Sequence, residues 1–262
     1  DGCVSNSCAG YYGGGSGIVV VRYALPEIAT PDLHASDDLG ASSTDNVTSA
    51  TTLTFTGSAP VGSTVQLYVD GVASGNTCTT SSTTGLWSCD TGVLTDGDKV
   101  ITAVSTTVLT DSTVTSTSAT SLTVTVDATA PTVSSISASS STLKSGETST
   151  LTITLSQAST DFVVGDITVS GGTLSSFTAV SGTSYTVVYT PTANTQGGSG
   201  SVSVASGAFT DAAGNTSAAS SATSITYDTQ APSVVSIVAG TSTLKSGQTS
   251  TLAITLSEAS SN

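Results

Sequence analysis

A long internal repeat constrains the fold of this chain more than any other feature. Residues 130–159 read APTVSSISASSSTLKSGETSTLTITLSQAS, and residues 231–260 read APSVVSIVAGTSTLKSGQTSTLAITLSEAS. The offset is 231 − 130 = 101 residues, and 22 of the 30 aligned positions are identical. Solenoid repeats are roughly 20–45 residues long, whereas one β-sandwich domain takes roughly 100. The repeat therefore predicts whole domains in a row.

Short segments that end in Ala-Pro mark where the units meet. The sequence VDATAP closes one unit at residues 126–131, and YDTQAP closes the next at residues 227–232. Proline cannot donate to a β-ladder, so it suits the start of a first strand. We divide the chain into a Gly-rich segment with the last strand of an upstream domain (1–25), a first domain (30–129), a second domain (130–230) and the first strands of an incomplete third domain (231–262).

The residue pattern within the units is that of short, half-buried strands. Leu151, Ile153 and Leu155 alternate with polar residues, which predicts a strand with these three side chains in a core. The pair Asp70-Gly71 is a hairpin-turn signal, and Trp87 is expected to be a core aromatic whose indole N–H needs a partner. No segment has apolar residues at helical spacing, so the chain is expected to be all-β.

The charge balance excludes several functions. The formal net charge is −14, and the basic residues are Arg22, Lys99, Lys144 and Lys245. A nucleic-acid binder needs a cationic face, and attachment to anionic lipid needs one too. His34 is the single histidine, and we interpret it as a loop residue rather than as part of a catalytic triad. We expect no enzymatic activity and no catalytic residues.

The four cysteines form two local pairs. Cys3 and Cys8 are close in sequence, as are Cys78 and Cys89, which predicts the disulfides Cys3–Cys8 and Cys78–Cys89 in an oxidising compartment. A four-thiolate metal site is the competing interpretation. Their spacings differ from the close C-x₂-C pairs of zinc sites, which makes that interpretation weaker.

Carboxylates collect near the ends of the units, and two interpretations of them stay open. They could bind Ca²⁺, a hard cation that takes oxygen ligands from loops. They could equally be turn residues on an acidic, solvated surface. The candidate metal ligands are Asp37, Asp38 and Asp45 near the start of the first unit, Asp127 and Asp228 at the two ends, and Asp211 and Asn215 around a glycine-containing loop.

Several motifs together resemble the bacterial Ig-like repeats of large surface adhesins. In the first unit they are TDNVT (44–48), LTFTGSA (53–59), GSTVQLY (62–68), the DG turn at 70–71, GLW (85–87) and TAP (129–131). In the second they are LKSGE (143–147), GDITV (165–169) and FTDAAGN (209–215). The resemblance implies tandem immunoglobulin-like β-sandwiches in a linear array, forming an extracellular stalk that calcium stiffens near the domain junctions.

We therefore expect a secreted or cell-surface protein that acts as a structural stalk or spacer of a bacterial adhesin. The alternative is a self-assembling filament or sheath subunit, completed head-to-tail by strand addition. A carbohydrate-binding module is a weaker third reading, because aromatic residues for sugar stacking are few. The expected partners are neighbouring Ig-like domains or further copies of the chain, with a cell-surface or glycan receptor contacted through regions outside this chain.

Overall fold

The computed structural model describes residues 27–109 and 112–259. Within these ranges almost all regular structure is β, as predicted, and the one exception is a single turn of 3₁₀ helix at Val164–Asp166. The strands form two sandwiches and one separate hairpin. The expected Cys3–Cys8 disulfide and the strand predicted in residues 1–25 lie outside the described residues.

The first sandwich packs two sheets face to face. One sheet has the order β1-β3-β6, and the other has the order β2-β9-β7-β4-β5, with β8 paired to β7. The strands are β1 (Asp32–Leu33), β2 (Val47–Thr48), β3 (Thr54–Ser58), β4 (Thr64–Val69), β5 (Val72–Thr79), β6 (Leu86–Asp90), β7 (Gly97–Val108), β8 (Thr113–Thr117) and β9 (Leu122–Val126).

Alternating apolar residues from both sheets build the first core. Phe55 on β3, Leu67 on β4 and Ile101 on β7 are all fully buried. Burial of one such side chain contributes about 1.5–3 kcal/mol, so these contacts supply most of the driving force for closing the sandwich. Trp87 is buried over Gly57, where a Cβ would collide with its ring, and its indole Nε1 has no hydrogen-bond partner. The core position of Trp87 matches the sequence pattern, whereas the expected partner is missing.

The outer strands β5 and β6 belong to different sheets, and a disulfide links them. Cys78 and Cys89 form this disulfide with a Cα–Cα distance of 5.7 Å. The Asp70-Gly71 turn connects β4 to β5, and both residues have positive φ, at 51° and 80°. Glycine and aspartate tolerate this left-handed region, which is why the pair makes a tight hairpin here. The disulfide therefore connects the two sheets along their open edge.

The second sandwich has a different strand arrangement. Its sheets have the orders β10-β12-β15-β14 and β11-β17-β16-β13. The strand that follows β13 pairs with β15, whereas in the first sandwich the strand that follows β4 pairs with β4 itself. The strands are β10 (Val133–Ala138), β11 (Thr142–Lys144), β12 (Ser149–Leu155), β13 (Ile167–Ser170), β14 (Gly172–Ser181), β15 (Ser184–Pro191), β16 (Gly198–Val204) and β17 (Thr223–Asp228).

Both sandwiches share one contact between an early strand and the last strand. In the first, β2 pairs in parallel with β9, and Val47 lies opposite Thr125. In the second, β11 pairs in parallel with β17, and Thr142 lies opposite Thr226. Each early strand therefore runs toward the end at which the chain leaves the domain.

The third repeat folds as a hairpin of β18 (Val234–Ala239) and β19 (Leu252–Leu256). Its register reproduces that of β10 and β12 with the offset of 101 residues. Leu252 and Ile254 are more than half exposed, at 57% and 59%, whereas their counterparts Leu151 and Ile153 are fully buried. The hairpin thus presents the face that the second sandwich buries in its core.

Candidate functional site at the junction between the domains

The loop between β1 and β2 faces the second domain. His34 N–H donates to the Thr54 carbonyl at the start of β3, and Thr125 N–H near the end of β9 donates to the Asn46 carbonyl. Both ends of the loop are thus held where the chain leaves the first domain. Asp37, Asp38 and Asp45, which are near the start of this domain in the sequence, thus lie at its far end in the structure. The cause is the parallel pairing of β2 with β9.

The second domain contributes its β16–β17 loop to this junction. Ala41 N–H donates to the Ala212 carbonyl across the junction, with a distance of 3.1 Å. A Cβ on Gly40 would collide with that same carbonyl, and Gly40 has a φ of 127°. A Cβ on Gly214 would lie 3.0 Å from Gly40 Cα, and Gly214 has a φ of 85°. Two glycines therefore let the two loops approach closely.

Asp127 lies at the centre of the junction and contacts both domains. Its N–H donates to the Thr48 carbonyl in the first domain at 2.9 Å. Its carbonyl accepts a bond from Asn215 Nδ2 at 2.7 Å, and its Oδ2 accepts one from Gln157 Nε2 at 2.8 Å. Its Oδ1 accepts a bond from Thr129 N–H at 3.0 Å. One residue therefore fastens the linker to both of its neighbours.

Asp96 fixes the next part of the linker to the first domain. Its Oδ1 accepts a bond from Ala128 N–H at 3.0 Å, and its Oδ2 accepts one from Thr129 Oγ1 at 2.6 Å. The bond from Thr129, followed by the bond from Ala128, holds the pKa of Asp96 below its usual value. Asp96 was not among the candidate site residues selected from the sequence.

Asp211 and Asn215 close the loop of the second domain that meets the linker. Asp211 is 5% exposed, and its Oδ1 accepts a bond from Asn215 N–H at 2.9 Å. Asn215 Nδ2 also donates to Asp211 Oδ2 at 3.0 Å, in addition to its bond to the linker. The Asn215 amide thus joins the loop carboxylate to the Asp127 carbonyl.

Two oxygens near this junction are shielded from solvent and have no hydrogen-bond partner. They are Asp38 Oδ1 and Gln157 Oε1, and Asp38 itself is only 6% exposed. Asp38 precedes the Leu39–Ala41 segment that contacts the opposite loop, and Gln157 binds Asp127 through its amide nitrogen. Burying an oxygen without a donor costs about 1–3 kcal/mol, and more for a charged group. Both atoms are acceptors, so a hydrogen-bond donor such as water, or a cation, would satisfy them.

The remaining predicted metal ligands have other contacts. Asp37 Oδ2 accepts a bond from Thr54 N–H at 2.7 Å. Burial alone would raise the pKa of Asp37, but hydrogen bonds from Thr54 and Ser36 outweigh burial and lower it. Asp45 is exposed and accepts a bond from Val47 N–H. Asp228 lies at the opposite end of the second domain, where it accepts a bond from Gln230 N–H.

Hydrogen bonds therefore join Asp127, Asp211 and Asn215 at the junction, and Asp38 belongs to the loop that approaches them, whereas Asp228 lies at the other end of the second domain. No group of three or more His, Cys, Asp or Glu side chains in residues 27–109 and 112–259 is arranged to hold a metal. An oxygen site at the junction would need Gln157 or main-chain carbonyls as well. Sequence reasoning overlooked Gln157, although its repeat counterpart Glu258 could have drawn attention to this position.

His34 has no catalytic surroundings. Its Nδ1 lies 2.8 Å from Ser36 Oγ in an exposed turn, and Ser36 Oγ donates in turn to Asp37 Oδ1. The Asp37 carboxylate contacts the serine rather than the imidazole, so this is not the order of contacts in a catalytic triad. In the part of the chain that the structure describes, no helix has the length and apolar character of a membrane span.

Comparison with known proteins identifies the two sandwiches. Residues 25–128 match a family described as a bacterial Ig-like domain, and residues 127–227 match a second family with the same description. No curated protein sequence matches the chain.

Solved structures with similar folds include two bacterial proteins and a fragment of titin. FdeC, an adhesin of Escherichia coli, is 20% identical over 90% of this chain and 76% of its own, with a TM-score of 0.44. InvD of Yersinia pseudotuberculosis is 18% identical over 77% of this chain and 62% of its own, with a TM-score of 0.37. The I67–I69 fragment of titin is 11% identical over 79% of this chain and 66% of its own, with a TM-score of 0.41. Residues 25–227 form two bacterial Ig-like domains in tandem, and the chain thus belongs to this class of structural, non-enzymatic modules.

Proposed function

We propose that this chain is a spacer in the stalk of an extracellular bacterial adhesin, where it holds an adhesive region away from the cell surface. The observation that carries the proposal is the hydrogen-bonded junction between two sandwiches of this family. A spacer transmits distance only if its domains keep their relative orientation. The bonds of Asp127, together with the direct Ala41–Ala212 contact, oppose bending at the linker.

The disulfide and the charge support the same proposal. A Cys78–Cys89 bond is compatible with an oxidising compartment outside the cytoplasm. The net charge of −14 favours a solvated chain that repels its copies. Small-angle scattering from the chain tests the proposal. We expect the two sandwiches to keep one well-defined separation that stays constant on replacement of exposed residues, whereas a broad distribution of separations would contradict a spacer.

We further propose that Ca²⁺ stiffens this junction. The residues that would hold it are Asp38, Asp127, Asp211 and Asn215, with Gln157 as a further oxygen donor. The support is the pair of buried, unpartnered oxygens on Asp38 and Gln157, since oxygen is the ligand atom that Ca²⁺ prefers. A bound divalent cation would offset the negative charge of the carboxylates that it contacts.

The substitution Asp38→Asn tests the calcium proposal. In the unmodified chain, Ca²⁺ at a hundredfold excess over Kd should raise stability by about 2.7 kcal/mol relative to chelator. Asp38→Asn should remove most of this gain, while without calcium it should melt at or above the unmodified chain, because a buried uncompensated charge is gone. The exposed Asp45→Asn is the matched control and should keep the full gain. Melting curves that do not respond to calcium would refute the proposal.

A second candidate is a filament subunit that copies of the chain complete head-to-tail. The observation that favours it is the apolar face of β18 and β19, where Leu252, Ile254 and Ile237 are all more than half exposed. An exposed apolar face beside unpaired strand edges is a site for strand addition. Electron microscopy of the purified chain separates the candidates. Regular polymers that disappear in Ile254→Asp would favour the filament, and isolated rods would favour the spacer.

A further inference from the structure

The two linkers of the chain have equivalent positions in successive repeats but different chemistry. At the first linker, Gln157 lies beside Asp127. At the second linker, Asp228 is the equivalent of Asp127, and Glu258 is the equivalent of Gln157. Both correspondences have the offset of the repeat, 258 − 157 = 101 and 228 − 127 = 101. The second linker therefore has a carboxylate where the first linker has an amide.

The surrounding geometry is the same at both linkers. Ser156 Oγ accepts a bond from Thr132 N–H at 2.8 Å, and Ser257 Oγ accepts one from Ser233 N–H at 2.9 Å. Asp127 Oδ1 and Asp228 Oδ1 each accept a bond from the N–H two residues further on. The segment after β19 thus contacts its linker in the same way as the segment after β12.

The exchange changes one hydrogen bond. Gln157 Nε2 donates to Asp127 Oδ2 at 2.8 Å, which ties the β12–β13 loop to the linker. A glutamate carboxylate has no proton to donate at neutral pH, so Glu258 cannot give Asp228 the bond that Gln157 gives Asp127. Glu258 Oε1 is shielded from solvent and has no hydrogen-bond partner among the residues that the structure describes.

Two lysines lie on neighbouring elements, and both contact side chains of their own turns through main-chain N–H groups. Lys144 lies opposite Asp228 across the β11–β17 pair, and its main-chain N–H donates to Glu147 Oε2 at 2.9 Å. Lys245 occupies the equivalent turn of the third repeat, where its N–H donates to Gln248 Oε1 at 2.8 Å. That turn precedes β19, whereas Glu258 follows it, so the two residues lie at opposite ends of the strand.

We propose that the residue at positions 157 and 258 decides whether a linker is fixed or acts as a hinge. Glutamine fixes the first linker by binding the aspartate that ends the preceding domain, and glutamate leaves the second linker free to bend. The inference rests on the proposed spacer function, which it deepens by giving the stalk one stiff and one flexible joint. The flexible joint would let the part beyond residue 230 change direction while the two sandwiches stay aligned.

A reciprocal exchange tests the proposal within one molecule. Amide hydrogen exchange is measured for residues 127–133 and 228–234 in the unmodified chain, Gln157→Glu and Glu258→Gln. Gln157→Glu removes a hydrogen bond to a charged group, so we expect it to speed exchange of the first linker about tenfold. Glu258→Gln should slow the second linker by a similar factor. Each linker serves as the control for the variant at the other.

The outcomes separate this inference from the spacer function. If each substitution leaves the exchange of its own linker unchanged, the hinge inference is overturned, whatever the scattering data show. If the first linker already exchanges as fast as an unstructured peptide in the unmodified chain, the spacer proposal fails as well. Glu258→Ala separates the effect of removing the negative charge from the effect of adding a hydrogen-bond donor, because it does only the first. It should slow the second linker less than Glu258→Gln does.

Discussion

The substitution Asn215→Ala should uncouple the two domains and destabilise the second. Asn215 Nδ2 donates to the Asp127 carbonyl at 2.7 Å and to Asp211 Oδ2 at 3.0 Å. A neutral bond contributes about 1 kcal/mol and a bond to a carboxylate about 1.5–3 kcal/mol. Asn215 is only half-buried, which reduces both contributions, so we expect a loss of about 2 kcal/mol. For a domain of this size, that loss lowers the melting temperature by about 10 °C.

Intrinsic fluorescence can follow the two domains separately. Trp87 is the single tryptophan and lies in the core of the first domain, whereas Tyr185, Tyr189 and Tyr227 are buried in the second. Asn215→Ala should lower the tyrosine transition and shift the tryptophan transition much less. The exposed Asn76→Ala on β5 is the control and should leave both unchanged. A loss below about 0.5 kcal/mol for Asn215→Ala, the size of an ordinary surface substitution, would refute the role given to this amide.

Three further predictions concern other parts of the chain. Reducing the Cys78–Cys89 disulfide, which spans a sequence separation of 11, should cost the first domain about 2–3 kcal/mol and leave the second unchanged, as melting curves with and without reductant would reveal. Gly40→Ala should loosen the junction in hydrogen exchange because its Cβ meets the Ala212 carbonyl, whereas Gly62→Ala, with φ also positive but open space around it, should affect only local stability. The pKa of Asp96 is lowered by its bonds to the linker, so its contribution is present above the unfolded pKa of about 3.9 and is lost as the pH falls through the lower folded value. Asp96→Asn should therefore lose less stability than the unmodified chain in an acid titration below about pH 4, and equal losses would contradict this role.

Strand positions and core residues followed from the sequence because a pleated strand has a fixed period of two. The alternation of Leu151, Ile153 and Leu155 predicted their burial, and Asp70-Gly71 predicted its hairpin turn. Sheet membership did not follow, since no local pattern shows that β5 pairs with the strand before it whereas β14 pairs with the strand after it.

The junction was only partly predictable. Asp127, Asp211 and Asn215 were selected as polar residues near unit ends, and the structure brings them together. Asp38 was selected too, but its position at the far end of the domain depends on the parallel pairing of β2, which no local pattern reveals. Gln157 was overlooked because one amide following a strand carries no distinctive signal. Its function emerges only when the two repeats are compared in three dimensions.

The parallel strand pairs β2–β9 and β11–β17 determine how each domain resists a pulling force. A force that enters at one end of a domain and leaves at the other slides the two strands of such a pair lengthwise past each other. Their hydrogen bonds are then strained together rather than broken one after another. The first domain offers two such residue pairs and the second three, so the first is the weaker element under load. When the first domain unfolds under force, the Cys78–Cys89 disulfide keeps its loop closed, since the two cysteines are 11 residues apart. The extended chain is therefore shorter by roughly 35–40 Å than it would be without the disulfide.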